Sequence, residues 1–477
     1  MNNVNSAILA PDVGWLILAC FSVLWIFLGW YWGRQAKVLD EFMLAGRRIG
    51  LALGVATAMA TWVTSNTTMT APQLTLQLGI WGMLGYSLGS VGLMLFAPLT
   101  KRIKTLLPNG YTSGDFIRLR YGKGAWRVFL LISLVYAIGW LISLGMAGGV
   151  LINALTGIDY QFGMSVIISI CVLYTLLGGL RAVIGTDFIQ SLLIIVGVVA
   201  LAILTVNKVG FAQMHDTLLQ QRPELLDLLM PASIMFLFNN LLFGVGEIFH
   251  SNVWWSRAFA FRKDVGYKAY MIAGIFWIPI PIVAGFIAMA APSLHLNIPA
   301  ADMVGPMVAA HLLGFTGAVL VFIVVFSALA SSLDSLLAAT GDLVLQDLYK
   351  GHFNQQATEA HLQKMAKVVI LGLGVVTWLL CLPRLATLAS LLHFLGAFVA
   401  STIWPIIAGL FWTRATGKGA IAAMLGGTLM GLIAFVTIGF YVAALISAAA
   451  SMVITLIFVK FSNEEFDWQI LNEREPT

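Results

Sequence analysis

Six oxygen-bearing side chains fall within one apolar stretch, VFIVVFSALASSLDSLLAATGDLVLQDLY (321–349): Ser327, Ser331, Ser332, Asp334, Ser335 and Thr340. Ala328, Ser331, Ser332 and Ser335 recur at offsets of three and four, which places them on one helical face. Such a face has two readings. Small residues and hydroxyls permit close helix packing, with the hydroxyls bonding back to carbonyls of their own helix. Alternatively, these oxygens and freed backbone carbonyls replace the water around a small cation. Asp334 favours the second reading, because an ionisable group in an apolar span is costly and marks a functional site by default.

Two further stretches carry polar groups where apolar ones are expected. ATWVTSNTTMTAPQ (60–73) holds Ser65, Asn66, Thr68 and Gln73 and ends its polar run at Pro72. Residues 238–252 hold Asn239, Asn240, Glu247, His250, Ser251 and Asn252, with Gly244 and Gly246 between them. Polar, helix-weakening sequence is tolerated at membrane depth only where it packs in protein or lines a cavity. Broken helices of this kind form the midplane sites of secondary transporters. Tyr136 and Trp140 lie one turn apart on one face of a later span, as packing or as a stacking surface for solute.

The chain around these stretches is a membrane protein. Of 477 residues, 60% are hydrophobic and only 10% charged, whereas soluble domains carry about a quarter charged residues. Apolar stretches of about 20 residues leave room for roughly thirteen spans. Cys20, Cys171 and Cys381 lie far apart in or beside apolar runs, which suggests neither disulfides nor a metal site. The net charge of +5 does not imply nucleic acid. With the N-terminus outside, every Lys and Arg except Lys208, Arg222 and Arg384 falls on inside loops. The positive-inside rule therefore predicts N-out, C-in and an odd number of spans. Arg257 is read here with Arg262, Lys263 and Lys268 as loop charge. That reading leaves no intramembrane Lys or Arg to neutralise Glu247 or clamp an anionic solute.

The expected organisation is a single transmembrane domain over 1–477. A retained first span (13–32), without the features of a signal peptide, precedes a five-helix repeat (50–206). A second five-helix repeat (230–412) and a C-terminal hairpin (419–461) follow. Both interrupted stretches open their repeats. An odd number of spans per repeat inserts the second with opposite orientation, the signature of an inverted repeat.

Four motifs in this order resemble the sodium/solute symporter family, which includes the sodium/glucose, proline and sialic acid cotransporters. They are PNGYTSGDFIRLRYG (108–122), GGLRAVIGTDFIQ (178–190), SALASSLDS (327–335) with DLY (347–349), and FWTRATGKGAIAAMLGG (411–427). The resemblance covers nearly the whole chain. Loop details (QLG after span 2, LINALTGID, and NxWxS at 252–256) look closest to its urea/polyamine branch. It implies an all-α polytopic membrane protein with a leucine-transporter-like 5+5 core, one extra N-terminal helix and two extra C-terminal ones.

The resemblance further implies a sodium ion held by the carbonyls of Ala60, Val63 and Ala328 and the hydroxyls of Ser331 and Ser332. Some members carry a second site, for which Asp187, Ser331 and Ser335 match and Asp334 departs, standing where sialic acid transporters have a serine. Asp187 also has a plainer reading, as a charge near a helix N-terminus. Solute contacts are expected from Ser65, Asn66, Thr68, Gln73, Tyr136, Trp140, Asn239, Asn240, Glu247 and His250.

The expected activity is sodium-coupled symport of a small polar solute by alternating access, nitrogenous in the first instance: urea, an amide or an amine. Amino acid, sugar or carboxylate symport, a proton-coupled transporter and a channel are the alternatives. No HExxH or comparable catalytic spacing stands in the spans, so an enzyme is not expected. The expected location is the plasma membrane (the inner membrane in a bacterium), acting as a monomer with sodium, solute and bilayer as partners.

Overall fold

The computed structural model describes residues 8–473 apart from His295, Asn297 and Leu385. Arg474, counted above among the inside charges, and the end of the acidic tail lie outside the described residues. Apart from one isolated bridge between Ile49 and Phe261, the described regular structure is helical.

The principal helices are α1 (Pro11–Gly33), α2 (Leu51–Trp62), α3 (Ser65–Leu78), α4 (Ile80–Leu106), α5 (Ser113–Thr156), α6 (Tyr160–Val209) and α7 (Pro231–His250). They continue with α8 (Asn252–Ala260), α9 (Val265–Leu294), α10 (Ala301–Phe353), α11 (Glu359–Cys381), α12 (Leu388–Phe411), α13 (Gly417–Thr437) and α14 (Phe440–Phe461). Eleven of the described helices are long and apolar enough to cross a bilayer. The difference from thirteen has two local causes. The expected second span is cut into α2 and α3, each too short to cross alone. The expected fifth and sixth spans both lie within α6, whose 50 residues would reach about 75 Å if straight. Gly179 divides them with non-helical φ 53°, ψ −143°. A Cβ there would fall 2.5 Å from the Phe42 carbonyl oxygen, so both backbone angle and contact require glycine.

Burial divides by face. Val23, Leu131, Val199, Leu371 and Ile433 are exposed apolar side chains on helix outer faces, as lipid contact requires. The segment Val321–Leu343 of α10 is buried almost throughout and packs on α6, α5 and α3. Close crossings are built from glycine. A Cβ on Gly178 would lie 2.3 Å from the Gly33 Cα, so α1 and α6 touch backbone to backbone, the small-residue packing favoured in membranes.

Candidate functional site

The polar stretch at 60–73 is a genuine helix break. Thr64 caps α3 through a reciprocal box: its hydroxyl accepts from Thr67 N at 3.1 Å, while Thr67 Oγ1 accepts from Thr64 N at 3.2 Å. Thr64 N also bonds Trp62 O at 3.0 Å. These are the two amides that a continuous helix would direct at Ala60 O and Val63 O. The break thus releases both carbonyls named above as cation ligands. The intervening Trp62 O is consumed instead, accepting from Trp277 Nε1 at 2.7 Å and Thr67 Oγ1 at 3.2 Å.

Across this break lies the hydroxyl face of α10. Ser332 Oγ donates to Thr61 O (3.0 Å) and Ala328 O (2.9 Å), tying the end of α2 to α10. All five proposed sodium ligands are buried, on two elements drawn together by that bond. An all-oxygen, uncharged donor set suits a hard monovalent cation that must leave again.

The other nominated acidic group is arranged differently from expectation. Asp187 Oδ1 accepts from Ser331 Oγ, and its Oδ2 accepts from Thr57 Oγ1. Arg257 enters the same cluster. Its Nη2 donates to Ser335 Oγ (2.6 Å), Thr61 Oγ1 (2.7 Å) and Asp187 Oδ2 (3.4 Å), its Nε to Thr57 Oγ1 (3.0 Å), and its Nη1 to Val253 O (3.1 Å). Both Arg257 and Asp187 are fully buried. This corrects the sequence reading of Arg257 as loop charge, and with it the statement that the bundle interior holds no arginine. Helix α8 carries the side chain inward, where a planar five-donor group matches a carboxylate ringed by hydroxyls. Asp187, Ser331 and Ser335 lie in one cluster, but Ser331 is bonded to Asp187, and Arg257 bonds both Asp187 and Ser335. Asp334 is fully buried beside them, with neither carboxyl oxygen bonded among the described residues.

Above the break lies a small, tightly lined cavity. Its walls are aromatic: Trp62, Tyr86, Tyr136, Trp140 and Trp277. Trp62 meets Trp140 edge-on at 6.3 Å and Trp254 at 5.5 Å, and Tyr86 stacks on Trp277 at 6.1 Å. Asn66 and Asn240 supply the polar ends. Asn66 Oδ1 accepts from Ser143 Oγ (2.9 Å), and Asn240 Nδ2 donates to Gly85 O and Tyr86 O (3.0 and 3.1 Å). That fixes both amide planes. It leaves Asn66 Nδ2, Asn240 Oδ1, Trp62 Nε1 and Tyr136 OH buried without partners among the described residues. The lining has no Asp, Glu, Lys, Arg or His.

Of the expected solute residues, Asn66, Tyr136, Trp140 and Asn240 therefore line one cavity. The others stand elsewhere. Ser65 is buried at the start of α3, and Thr68 lines an apolar cavity with Pro72 and Pro306. Gln73 Nε2 donates to Thr387 Oγ1 at 3.4 Å. Asn239 Oδ1 accepts from Ala444 N and Leu445 N, holding the start of α14. Glu247 Oε2 accepts from Trp254 Nε1 at 2.9 Å, and its carboxylate is outside the lining set. His250 lies beneath Tyr136, ring centroids 5.0 Å apart.

Trp62, Tyr86 and Trp277 were missed because aromatic residues in apolar runs carry no pattern distinguishing wall from packing. Thr64 and Thr67 carried a readable signal, the T-x-x-T spacing of a cap, with threonine where glutamate is usual.

A bundle with two interrupted helices, freed carbonyls at one break and a small polar-ended cavity beside it is the architecture of a membrane carrier. The chain belongs to the sodium:solute symporter family, whose model matches residues 42–427. It is a symporter and a multi-pass plasma membrane protein; its homologues are transporters, not enzymes. It is 26% identical, over 90% of its length and 66% of the relative's, to the urea-proton symporter DUR3 of rice. The chain thus spans just under two thirds of that protein. It is 25% identical to the osmoregulated proline transporter OpuE of Bacillus subtilis, over 87% of each chain. Among solved structures, a Na+-coupled sialic acid symporter in its substrate-bound outward-open state superposes with TM-score 0.78 at 16% identity. That superposition covers 95% of this chain and 98% of the other.

Proposed function

We propose that this protein imports a small, neutral, planar nitrogenous solute, with urea or a simple amide as the substrate class, driven by one sodium ion bound at the α2–α3 break. The observation that carries the solute reading is the cavity itself: aromatic walls, amide ends and no ionised side chain in its lining. A neutral diamide offers donors to Asn240 Oδ1 and an acceptor to Asn66 Nδ2 and Trp62 Nε1. Carboxylate solutes such as proline or pantothenate would leave a charge facing indole and phenol rings, a costly arrangement without a paired cation.

The ion reading rests on the Ala60 and Val63 carbonyls released by the Thr64–Thr67 box. Together with Ala328 O and the Ser331 and Ser332 hydroxyls they make the sodium site. Asp187, Asp334 and Ser335 form no second site while Arg257 stays in place, because its guanidinium already supplies Asp187 with positive charge. Sodium at the break fixes α2 against α10 and so shapes the Trp62 wall of the cavity, coupling ion to solute by differential binding to one state. Thirteen crossings, N-terminus outside, and a functional monomer complete the reading. The test is uptake of radiolabelled urea and acetamide into proteoliposomes under an imposed sodium gradient. Uptake supports the reading, and uptake of neither contradicts it.

One observation favours a second reading, proton coupling. Asp334 is fully buried with both oxygens unbonded among the described residues, and the rice relative is named a urea-proton symporter. Uptake driven by a pH gradient in sodium-free medium, lost in Asp334→Asn, would establish it in place of the first.

A further inference from the structure

A recess of about 520 Å³ lies away from the ion and solute sites, where the end of α1, the loop to α2 and the stretch of α6 just past Gly179 meet. A water occupies about 30 Å³ in the liquid, so this space accepts a far larger group. Its polar side is Gln35, Glu41, Arg48 and Arg181; its apolar side includes Trp32, Leu53 and Ile184. Glu41 holds both guanidiniums: its Oε1 accepts from Arg48 Nη2 and its Oε2 from Arg181 Nη1, each at 3.0 Å. Arg181 also donates to Ala45 O at 3.2 Å and to Gln35 Oε1. Two arginines share one carboxylate, so the cradle keeps a net positive charge. Arg262 adds to it, its Nε donating to Arg48 O at 3.2 Å. Asp40, the other acid of this loop, is already paired with Arg47 at 3.0 Å.

The backbone holds this cradle open. Ala45, Gly46 and Arg47 are consecutive left-handed residues, with φ 48°, 67° and 55°, a conformation that residues with a Cβ seldom adopt. A Cβ on Gly46 would fall 2.4 Å from Glu41 Oε1, so glycine is what lets the turn close over that carboxylate. The neighbouring aromatic residues set the depth. Trp30 and Tyr31, at the end of α1, are exposed, and Trp and Tyr gather where membrane meets water. Leu53 is exposed at the start of α2, as are Phe188 and Leu192, one and two turns beyond Ile184 on α6. The apolar side of the recess therefore continues onto lipid-facing surface. With the N-terminus outside, as proposed, that surface belongs to the cytoplasmic leaflet.

We propose that the recess binds one anionic phospholipid of the cytoplasmic leaflet, its phosphate at Arg48 and Arg181 and its acyl chains over Leu53 and Ile184. Charge complementarity selects this occupant. Planar guanidiniums match a phosphate with paired N–H donors, and basic pockets between membrane helices hold anionic headgroups. A soluble phosphate would meet the arginines but leave the apolar side uncovered; a phospholipid covers both. The site also touches the moving parts. Ile49, in its lining, bonds the end of α8 through Ile49 N to Ala260 O at 3.1 Å and Arg262 N to Ile49 O at 3.0 Å. A lipid bound there braces the cytoplasmic ends of α2 and α8 against α1 and α6.

The test is independent of the solute reading. The purified protein in dodecylmaltoside micelles, at fixed sodium and without solute, is titrated with dioleoylphosphatidylglycerol, dioleoylphosphatidylcholine or inorganic phosphate while Tm is followed. Phosphatidylglycerol should raise Tm saturably, and the other two should not. An equal shift with phosphatidylcholine means lipid solvation without a site, and an equal shift with inorganic phosphate means a soluble-anion site; either overturns the proposal. The Arg48 side chain is 78% exposed, so Arg48→Gln should fold. It should raise the half-saturating phosphatidylglycerol concentration at least tenfold, whereas Arg222→Gln, on an exposed loop elsewhere, should leave it unchanged. An unchanged value in Arg48→Gln contradicts the site. Should Arg48→Gln not fold, phosphatidylglycerol with a photoreactive diazirine in its acyl chain decides it on the wild-type protein. Labelling concentrated around Leu53 and Ile184 supports the site, and labelling spread evenly over the outer faces of the helices overturns it.

Discussion

The Arg257 guanidinium lies 3.4 Å from the Asp187 carboxylate with neither side chain exposed. Between them they gather Thr57 and Thr61 of α2 and Ser331 and Ser335 of α10. Four helices, α2, α6, α8 and α10, therefore meet at one ion pair. Breaking a buried pair by removing one partner costs about 3–5 kcal/mol, because the survivor is left uncompensated. Asp187→Asn and Arg257→Gln should each lower thermal stability markedly. The double variant should be more stable than the sum of the two losses implies, and a double-mutant cycle on Tm measures this coupling.

Ser332 joins the two halves of the proposed sodium site through Thr61 O and Ala328 O. Ser332→Ala should express and fold yet raise the sodium concentration for half-maximal uptake at least tenfold. Sodium titration of urea uptake reads the effect, and an unchanged sodium affinity would remove Ser332 from the site.

Thr67→Ala removes half of the box that turns two amides away from Ala60 O and Val63 O. A lost N-cap bond costs about 1 kcal/mol, so the stability change is small. The sodium affinity should fall more than the stability does, because the carbonyls regain helical partners. Thermal melts with and without sodium separate the two effects.

Asn240 is held by Gly85 O and Tyr86 O with its Oδ1 left for solute. Asn240→Ala should raise the KM for urea about tenfold, the scale of one lost hydrogen bond to a buried group, with sodium affinity unchanged. Substrate kinetics at saturating sodium provide the check.

With the N-terminus outside, as proposed, a short chain of bonds closes the cytoplasmic end. Asn252 Oδ1 accepts from Ser113 N at 3.0 Å, and its Nδ2 donates to Ala339 O at 2.8 Å. Asp347 accepts from Thr112 Oγ1 and Trp126 Nε1, each at 2.7 Å. Asn252→Ala removes the only side-chain link described between Ser113 N and Ala339 O. It should shift the protein toward an inward-open state, seen as faster labelling of a cysteine introduced at Thr340 from the cytoplasmic side.

The oxygen face of α10 and the two broken helices were legible because polarity at membrane depth is rare enough to stand out. The carbonyl positions at the first break were legible only through family resemblance; the Thr64–Thr67 box supplies their physical cause. Arg257 was not legible, since an arginine near Arg262 and Lys263 reads as loop charge until its helix is placed. Glu247 and Asn239 occupy the same polar stretch but stand apart from the aromatic lining, one bonded by Trp254 and the other anchoring α14. The number of long helices differs from the number of expected spans at Val63 and Gly179, where local backbone conformation decides how many segments one apolar run makes.

The central claim, that sodium at the α2–α3 break completes the chamber for a neutral nitrogenous solute, is tested most directly by thermal stabilisation of the purified protein. A ligand at one hundred times its Kd adds about 2.7 kcal/mol. The account predicts that sodium raises Tm and that millimolar urea or acetamide raises it further only when sodium is present. Both shifts should be absent in Ser332→Ala. Stabilisation by the solute in sodium-free buffer, with no response to sodium, would contradict it.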